Sequence, residues 1–130
     1  MLTDIRAPIF AVTTEADHVA PWRSVYKINL VSETDVTFVL TSGGHNAGIV
    51  SEPGHGRRHF RVSHRSSGEK YVDPDAWYLN NPSTEGSWWP VWAEWLESKS
   101  AGRGAPPQLG ASDKGYPALG PAPGCFVFER

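Results

Sequence analysis

The stretch PIFAVTTEADHVAPWRSVYKINLVSETDVTFVLTSGGH, residues 8–45, decides the fold. Its opening, PIFAVTT at 8–14, is a nearly continuous apolar and β-branched run behind a proline, the pattern of a buried strand. The polar residues Glu15-Ala16-Asp17-His18 end it. Pro21 suits a first helical turn, where its missing N–H has no partner to lose, and Trp22, Val25, Tyr26 and Asn29 recur at three- and four-residue spacing. That spacing predicts a helix over 21–31 whose apolar face includes Ile28 and Leu30. A second β-branched run, VTFVLT at 36–41, is closed by the turn sequence Ser42-Gly43-Gly44. Strand, helix and strand make a βαβ unit, with parallel strands and a right-handed crossover. Both strands then end at one sheet edge, where the loops of open parallel sheets converge on a single crevice. Asp17 and His45 lie just past those two ends.

Outward from this unit the pattern weakens. Arg57, Arg58, Arg61, Arg65 and Lys70 face only Glu52 and Glu69 between residues 52 and 70, with His55, His59 and His64 interspersed. Phe60 and Val62 alternate with polar residues, which fits a short edge strand over 58–64. Residues 71–85 carry Asp73-Pro74 and Asn81-Pro82 and read as turns, with one helical turn near Trp77. Residues 87–98 (SWWPVWAEWLES) place Trp88, Trp92, Trp95 and Leu96 at helical spacing behind Pro90, an amphipathic helix. From 101 to 124 Gly and Pro dominate, so the backbone there is expected to be extended, and Cys125-Phe126-Val127-Phe128 is apolar enough to add a terminal strand. The domain division that follows is a patterned portion at 1–100 and a Gly/Pro-rich tail with a short strand at 101–130. The first strand would expose a pairing edge, and self-association or low stability of the isolated chain is expected.

Composition narrows the function. At 130 residues the chain holds one domain of ordinary size. Twelve Lys and Arg against 14 Asp and Glu give a net charge of −2, so no global basic surface exists to hold a nucleic-acid backbone. A single cysteine, Cys125, forms no internal disulfide, and a reducing cytoplasm is the expected compartment. No apolar run reaches membrane-spanning length and no basic-then-apolar leader opens the chain, so neither secretion nor membrane insertion is expected.

A carboxylate and an imidazole at the ends of adjacent parallel strands can serve as the orienting and base members of a nucleophilic triad. The acid holds one ring nitrogen and fixes the tautomer, while the other nitrogen takes a proton. In α/β-hydrolases the chain order is nucleophile, acid, histidine. The residues before Asp17 contain neither Ser nor Cys and no G-x-S-x-G or G-x-C-x-G turn, so the nucleophile is missing. Cys125, in the context Pro123-Gly124-Cys125-Phe126, lacks the strand-turn-helix elbow that exposes a nucleophile and reads as structural. By spacing alone Asp17 and His45 could equally be ordinary loop residues.

The residues themselves carry more. Asp17-His18-Val19-Ala20-Pro21-Trp22, then Ser42-Gly43-Gly44-His45-Asn46-Ala47-Gly48-Ile49-Val50, and later Trp88-Trp89-Pro90-x-Trp92-x-x-Trp95-Leu96, resemble the C-terminal part of polyhydroxyalkanoate (poly-3-hydroxybutyrate) synthases, of the α/β-hydrolase superfamily. The likeness runs from about Pro8 to Ser98. It implies an α/β fold: the C-terminal βαβ portion of a hydrolase fold with an incomplete parallel sheet, a Trp-rich helix and an extended tail. It also implies an acyltransferase that polymerises (R)-3-hydroxyacyl-coenzyme A and releases coenzyme A through a Cys-Asp-His triad. Matched motif by motif, Asp17 takes the place of the triad aspartate and His45 that of the triad histidine. Asp17 would orient His45 or help activate the substrate's 3-hydroxyl. The chain then looks like a C-terminal fragment, inactive alone and completed by a missing N-terminal portion, cytoplasmic and associated with polymer granules. No cofactor is implied. A non-catalytic interaction module that binds a full-length synthase or a polymer granule is the alternative, and a remnant of a hydrolytic enzyme is a weaker one.

His18 could tune Asp17 but is more commonly a solvated neighbour. The basic run 57–65 could meet coenzyme A phosphates, although a solvated charged loop is commoner. The tryptophan stripe could line a path for an apolar polymer, yet aromatics at helical spacing usually pack a core. His45, His55, His59 and His64 match no compact metal-ligand spacing, and a metal is discounted.

Overall fold

In the computed structural model residues 2–129 are described, and they fall into two compact units, Met1–Ser100 and Ala101–Arg130. The first unit contains strands β1 (Ile9–Thr14), β2 (Val36–Thr41), β3 (His59–Arg65) and β4 (Thr84–Glu85), and helices α1 (Trp22–Val25), α2 (Ile28–Val31), α3 (Pro74–Asn80) and α4 (Trp89–Ser98).

The βαβ unit is present. β1 and β2 pair in parallel over six positions, Ile9 opposite Val36 through Thr14 opposite Thr41. The sheet as a whole is mixed, in the order β1-β2-β3-β4, which corrects the purely parallel arrangement expected. The 42–58 connection contains turns but no crossover helix, so the chain doubles back and β3 runs antiparallel to β2, Thr41 opposite Phe60 and Val36 opposite Arg65. β3 is also not the edge: Glu85 and Thr84 of β4 pair with His59 and Phe60.

Alternation of side chains sends β2 to both faces. Val36, Phe38 and Leu40 join Trp22, Tyr26 and Trp77 beneath α1–α3. Val39 packs on the other face with Phe60 and Trp88, joined by Phe10, Val12 and Val62. All six residues of β2 are buried, as expected of a strand with neighbours on both sides and cover on both faces. The first core is aromatic: Tyr26 and Trp77 meet the Phe38 ring edge-on, with centroids 5.0 and 5.2 Å away. Its polar tips are satisfied, Tyr26 Oη donating to the Val72 carbonyl at 2.9 Å and Trp77 Nε1 to Ser63 Oγ at 2.6 Å. Burial pushes the Tyr26 hydroxyl up to about 12.

The helix expected over 21–31 is broken. Asn29 turns its side-chain amide onto the Tyr26 carbonyl at 3.2 Å, and the backbone tightens to three-residue hydrogen bonds at Lys27, Asn29 and Leu30. Two single turns, α1 and α2, result. Leu30 is 60% exposed rather than on the apolar face, whereas Ile28 packs against the core. Asp73-Pro74, read as a turn, is the start of α3: the Asp73 carboxylate accepts from the Asp75 and Ala76 N–H groups, and Pro74 takes the first helical position. α4 begins at Trp89, and only Trp88 of the tryptophan stripe is buried. Trp95 packs on Phe10 at 5.4 Å, while Trp92 and Leu96 are 42% and 41% exposed, so the stripe forms only part of the core expected of it.

In the second unit Ala111 and Tyr116 exchange backbone hydrogen bonds around a 3-10 turn at Ser112–Lys114. Phe126–Phe128 forms another 3-10 turn, not the terminal strand expected. Among the described residues of that unit the apolar ones have no strand to pair with and stay exposed, as do nearly all residues of the tail.

Candidate functional site

β1 and β2 end in register, and the two chains leaving them stay tied together. Glu15 N–H donates to the Thr41 carbonyl at 2.8 Å and Ala16 N–H to the Gly43 carbonyl at 3.0 Å. Gly43 has φ +103°, and a Cβ there would lie 2.8 Å from a guanidinium nitrogen of Arg58. At Gly48 a Cβ would come within 2.5 Å of both the Ser42 carbonyl and the Thr14 side chain. Glycine at these two positions therefore lets the 42–50 loop close down on the end of β1.

This closure brings Asp17 and His45 together. Nδ1 of His45 lies 2.7 Å from Oδ2 of Asp17. An ionised carboxylate only accepts, so Nδ1 carries the proton and donates it. The other carboxylate oxygen, Oδ1, accepts from the Val19 and Ala20 N–H groups at 2.8 Å each. These amides fix the acid through the oxygen that the imidazole does not use, and Ala20 N–H holds the Asp17 carboxyl below the ordinary carboxylate value. Burial opposes that shift, while His45 and Val19 N–H add to it. The Asp17 side chain is 7% exposed and that of His45 48%, so the acid is shielded and the base is open. No described residue bonds to Nε2 of His45. The arrangement can hold one tautomer, stabilise an imidazolium, and take a proton at an exposed nitrogen.

The other histidines go elsewhere. His55 donates to Glu52 at 3.0 Å, a contact that lowers the Glu52 carboxyl, and His64 meets Thr37 Oγ1 at 3.2 Å. His59 Nε2 donates to Glu15 Oε2 at 3.1 Å. Among the described residues no group of three or more His, Cys, Asp or Glu side chains could hold a metal ion. His18 is exposed beside Asp17.

The basic run is only partly the solvated loop expected. Arg65 donates to the Ser32 and Thr34 carbonyls at 3.0 Å each, tying β3 to the segment before β2. Arg61 stacks on Tyr78, 4.0 Å from the ring centroid, and lies 4.0 Å from Glu15. Alternation along β3 was the available sign that Arg61, Ser63 and Arg65 share the face carrying α1–α3. Arg57 stays exposed. Cys125 is exposed as well, so it packs no core and the structural role expected for it is not supported.

A set of contacts behind the loop leaves no signal in the sequence. Ser87 Oγ donates to the Ser51 carbonyl, Trp88 Nε1 to the Gly48 carbonyl at 3.2 Å, and Trp89 Nε1 to the Ile49 carbonyl at 3.0 Å. The tryptophan pair was legible as a motif, but nothing in its spacing tells which carbonyls it meets.

The structure is that of an α/β protein with a mixed sheet whose parallel strand ends present a hydrogen-bonded carboxylate and imidazole. No family model matches the chain. Several curated relatives match nearly all of it, among them three polymerases. Poly(3-hydroxyalkanoate) polymerase 2 of Ectopseudomonas oleovorans is 37% identical over 130 residues, which is 99% of this chain and 22% of that protein. The poly(3-hydroxyalkanoate) polymerase subunit PhaC of Rhizobium etli is 34% identical over 99% of this chain and 19% of its own length. PhaC of Cupriavidus necator is 32% identical over 97% of this chain and 20% of its own length. The chain is thus a relative of the poly(3-hydroxyalkanoate) polymerases, and it spans about a fifth of the length of the curated proteins it matches.

Proposed function

We propose that this chain supplies the acid and the base of an acyl-transfer triad in a polyhydroxyalkanoate synthase of α/β-hydrolase type, with the nucleophilic thiol on sequence outside it. The reading rests above all on the 2.7 Å contact between His45 Nδ1 and an Asp17 already held by two backbone amides. Kinship with polymerases supports it from a second direction. In this reading Nε2 of His45 removes the thiol proton. The thiolate attacks the thioester carbonyl of an (R)-3-hydroxyacyl-coenzyme A, an acyl-enzyme thioester forms, and coenzyme A leaves with the proton returned by the imidazolium. His45 then takes the proton of the 3-hydroxyl of an incoming (R)-3-hydroxyacyl-coenzyme A as it attacks the acyl-enzyme carbonyl; the enzyme thiolate leaves, recovers that proton from the imidazolium, and the ester, now carried on coenzyme A, is one unit longer. Asp17 stabilises the imidazolium in both halves. The complete protein works in the cytoplasm at the surface of polymer granules. No helix among the described residues is long and apolar enough to cross a membrane.

A second reading is a non-catalytic module that binds a full-length synthase or a granule. The exposure of Trp92 and Leu96 on α4 favours it. Mixing the chain with an N-terminal fragment carrying the thiol separates the two readings. Acyl transfer predicts restored release of coenzyme A, abolished by His45→Gln. Tight association without thiol release, or release that survives His45→Gln, refutes the catalytic reading.

A further inference from the structure

The loop that carries His45 has no strand or helix of its own, yet it must keep an imidazole at hydrogen-bond distance from Asp17. Its own bonds are short-range: Gly48 N–H to the Gly44 carbonyl, and the Ile49 and Val50 N–H groups to the Asn46 carbonyl, each at 3.1 Å. Its start is tied by Ala16 N–H to the Gly43 carbonyl and by His59 to Ser42, and the long-range restraint on its far half comes from three consecutive residues at the head of α4. Ser87, Trp88 and Trp89 donate side-chain hydrogen bonds to the Ser51, Gly48 and Ile49 carbonyls, from 36 to 40 positions away in sequence. Ser87 Oγ also accepts from Trp89 N–H at 3.1 Å, so the three donors form one rigid turn.

Trp88 joins both halves of the pair. It is buried, and its ring lies 6.3 Å from that of Phe10 on β1, the strand that leads to Asp17, while its indole N–H reaches the loop that bears His45. The Gly48 carbonyl can sit under the indole because Gly48 has no Cβ to push the loop off Thr14. No hydrogen bond joins Ser87, Trp88 or Trp89 to the carboxylate or the imidazole, so whatever they do to the pair passes through the loop backbone.

We propose that Ser87, Trp88 and Trp89 are positioning residues: by fixing the carbonyls of Ser51, Gly48 and Ile49 they hold the His45 loop against the end of β1 and so keep the imidazole on Asp17. The inference rests on the reading of that pair as acid and base, and it extends the site to the first turn of α4.

The test uses the whole chain, isotopically labelled, with Trp89→Phe and Ser87→Ala. Each deletes one donor and keeps the fold-making bulk, and neither residue belongs to the buried core. Trp95→Phe is the control, since Trp95 packs on Phe10 at 5.4 Å and has no bond to the loop. In Trp89→Phe and Ser87→Ala the amides of Gly48, Ile49 and Val50 should exchange about tenfold faster or more, as expected when one hydrogen bond closing a local unit is lost. The Nδ1 proton signal of His45 should weaken or vanish, and the titration of the Asp17 carboxyl should move upward. Trp95→Phe should leave all three readouts in place. The proposal is overturned if the two variants melt at lower temperature while the His45 Nδ1 proton and the Asp17 titration stay unchanged, because the contacts are then structural only. It is also overturned if Trp95→Phe moves the readouts equally. Failure of the functional reading looks different: the Nδ1 signal is present and responds to Trp89→Phe, but the complemented enzyme releases no coenzyme A.

Discussion

Asp17 does two jobs with its two oxygens, and the division predicts how its variants behave. Oδ1 closes the turn after β1 by accepting from Val19 and Ala20, and Oδ2 meets His45. Asp17→Asn can keep the first contact but offers His45 the wrong partner or the wrong tautomer. Coenzyme A release by the complemented protein should fall by about 10³–10⁴-fold, the scale seen when a triad acid loses its charge, with little change in circular dichroism. The pH dependence has a definite sign. The folded state holds the Asp17 carboxyl below its ordinary value of 3.8, so ionised Asp17 stabilises the fold above that pH, and the stabilisation disappears as pH falls through the depressed folded value. Denaturation midpoints of the wild type and Asp17→Asn should differ most near neutrality and converge in acid. Gly48→Ala probes the same closure from the other strand. Its Cβ would stand 2.5 Å from backbone and side-chain atoms that cannot both retreat, so it should cost about 1–3 kcal/mol in urea titration and weaken the His45 signal.

The elements show where the sequence was legible. β1 and β2 carry continuous β-branched runs, and such runs announce buried strands without any tertiary knowledge. The pair of loops behind them was legible too, because parallel strands joined by a crossover must end at one edge. The direction of β3 was not, since Phe60 and Val62 alternate identically whichever way the strand runs. The break between α1 and α2 was hidden because Asn29 sits at helical spacing while its side chain takes the very carbonyl a continuous helix needs. In α4 periodicity gave the helix correctly, but the exposure of Trp92 and Leu96 depends on what lies opposite them. α3 was underestimated because Asp-Pro serves turns and helix starts alike, and there the cap can be tested. Asp73→Ala removes an acceptor from two N–H groups and should lower stability by about 1 kcal/mol, read from thermal or chemical unfolding.

For the whole molecule the decisive asymmetry is that β1 lies at the edge of the sheet while β2 is enclosed. An open strand edge beside partly exposed aromatics on α4 invites association. The isolated chain should sediment as a dimer or larger at micromolar concentration, and a sharp, cooperative melt of a strictly monomeric species would count against this. Trp92→Ser should reduce that association and, because its ring lies 5.9 Å from that of buried Trp88, lower unfolding free energy by about 1 kcal/mol. The register of β1 on β2 carries a consequence for inheritance. Acid and base sit 28 positions apart on one βαβ unit, aligned by pairing that the unit itself provides. A genetic exchange that moves this unit intact transmits the carboxylate and the imidazole already aligned to each other, with no need to rediscover their spacing.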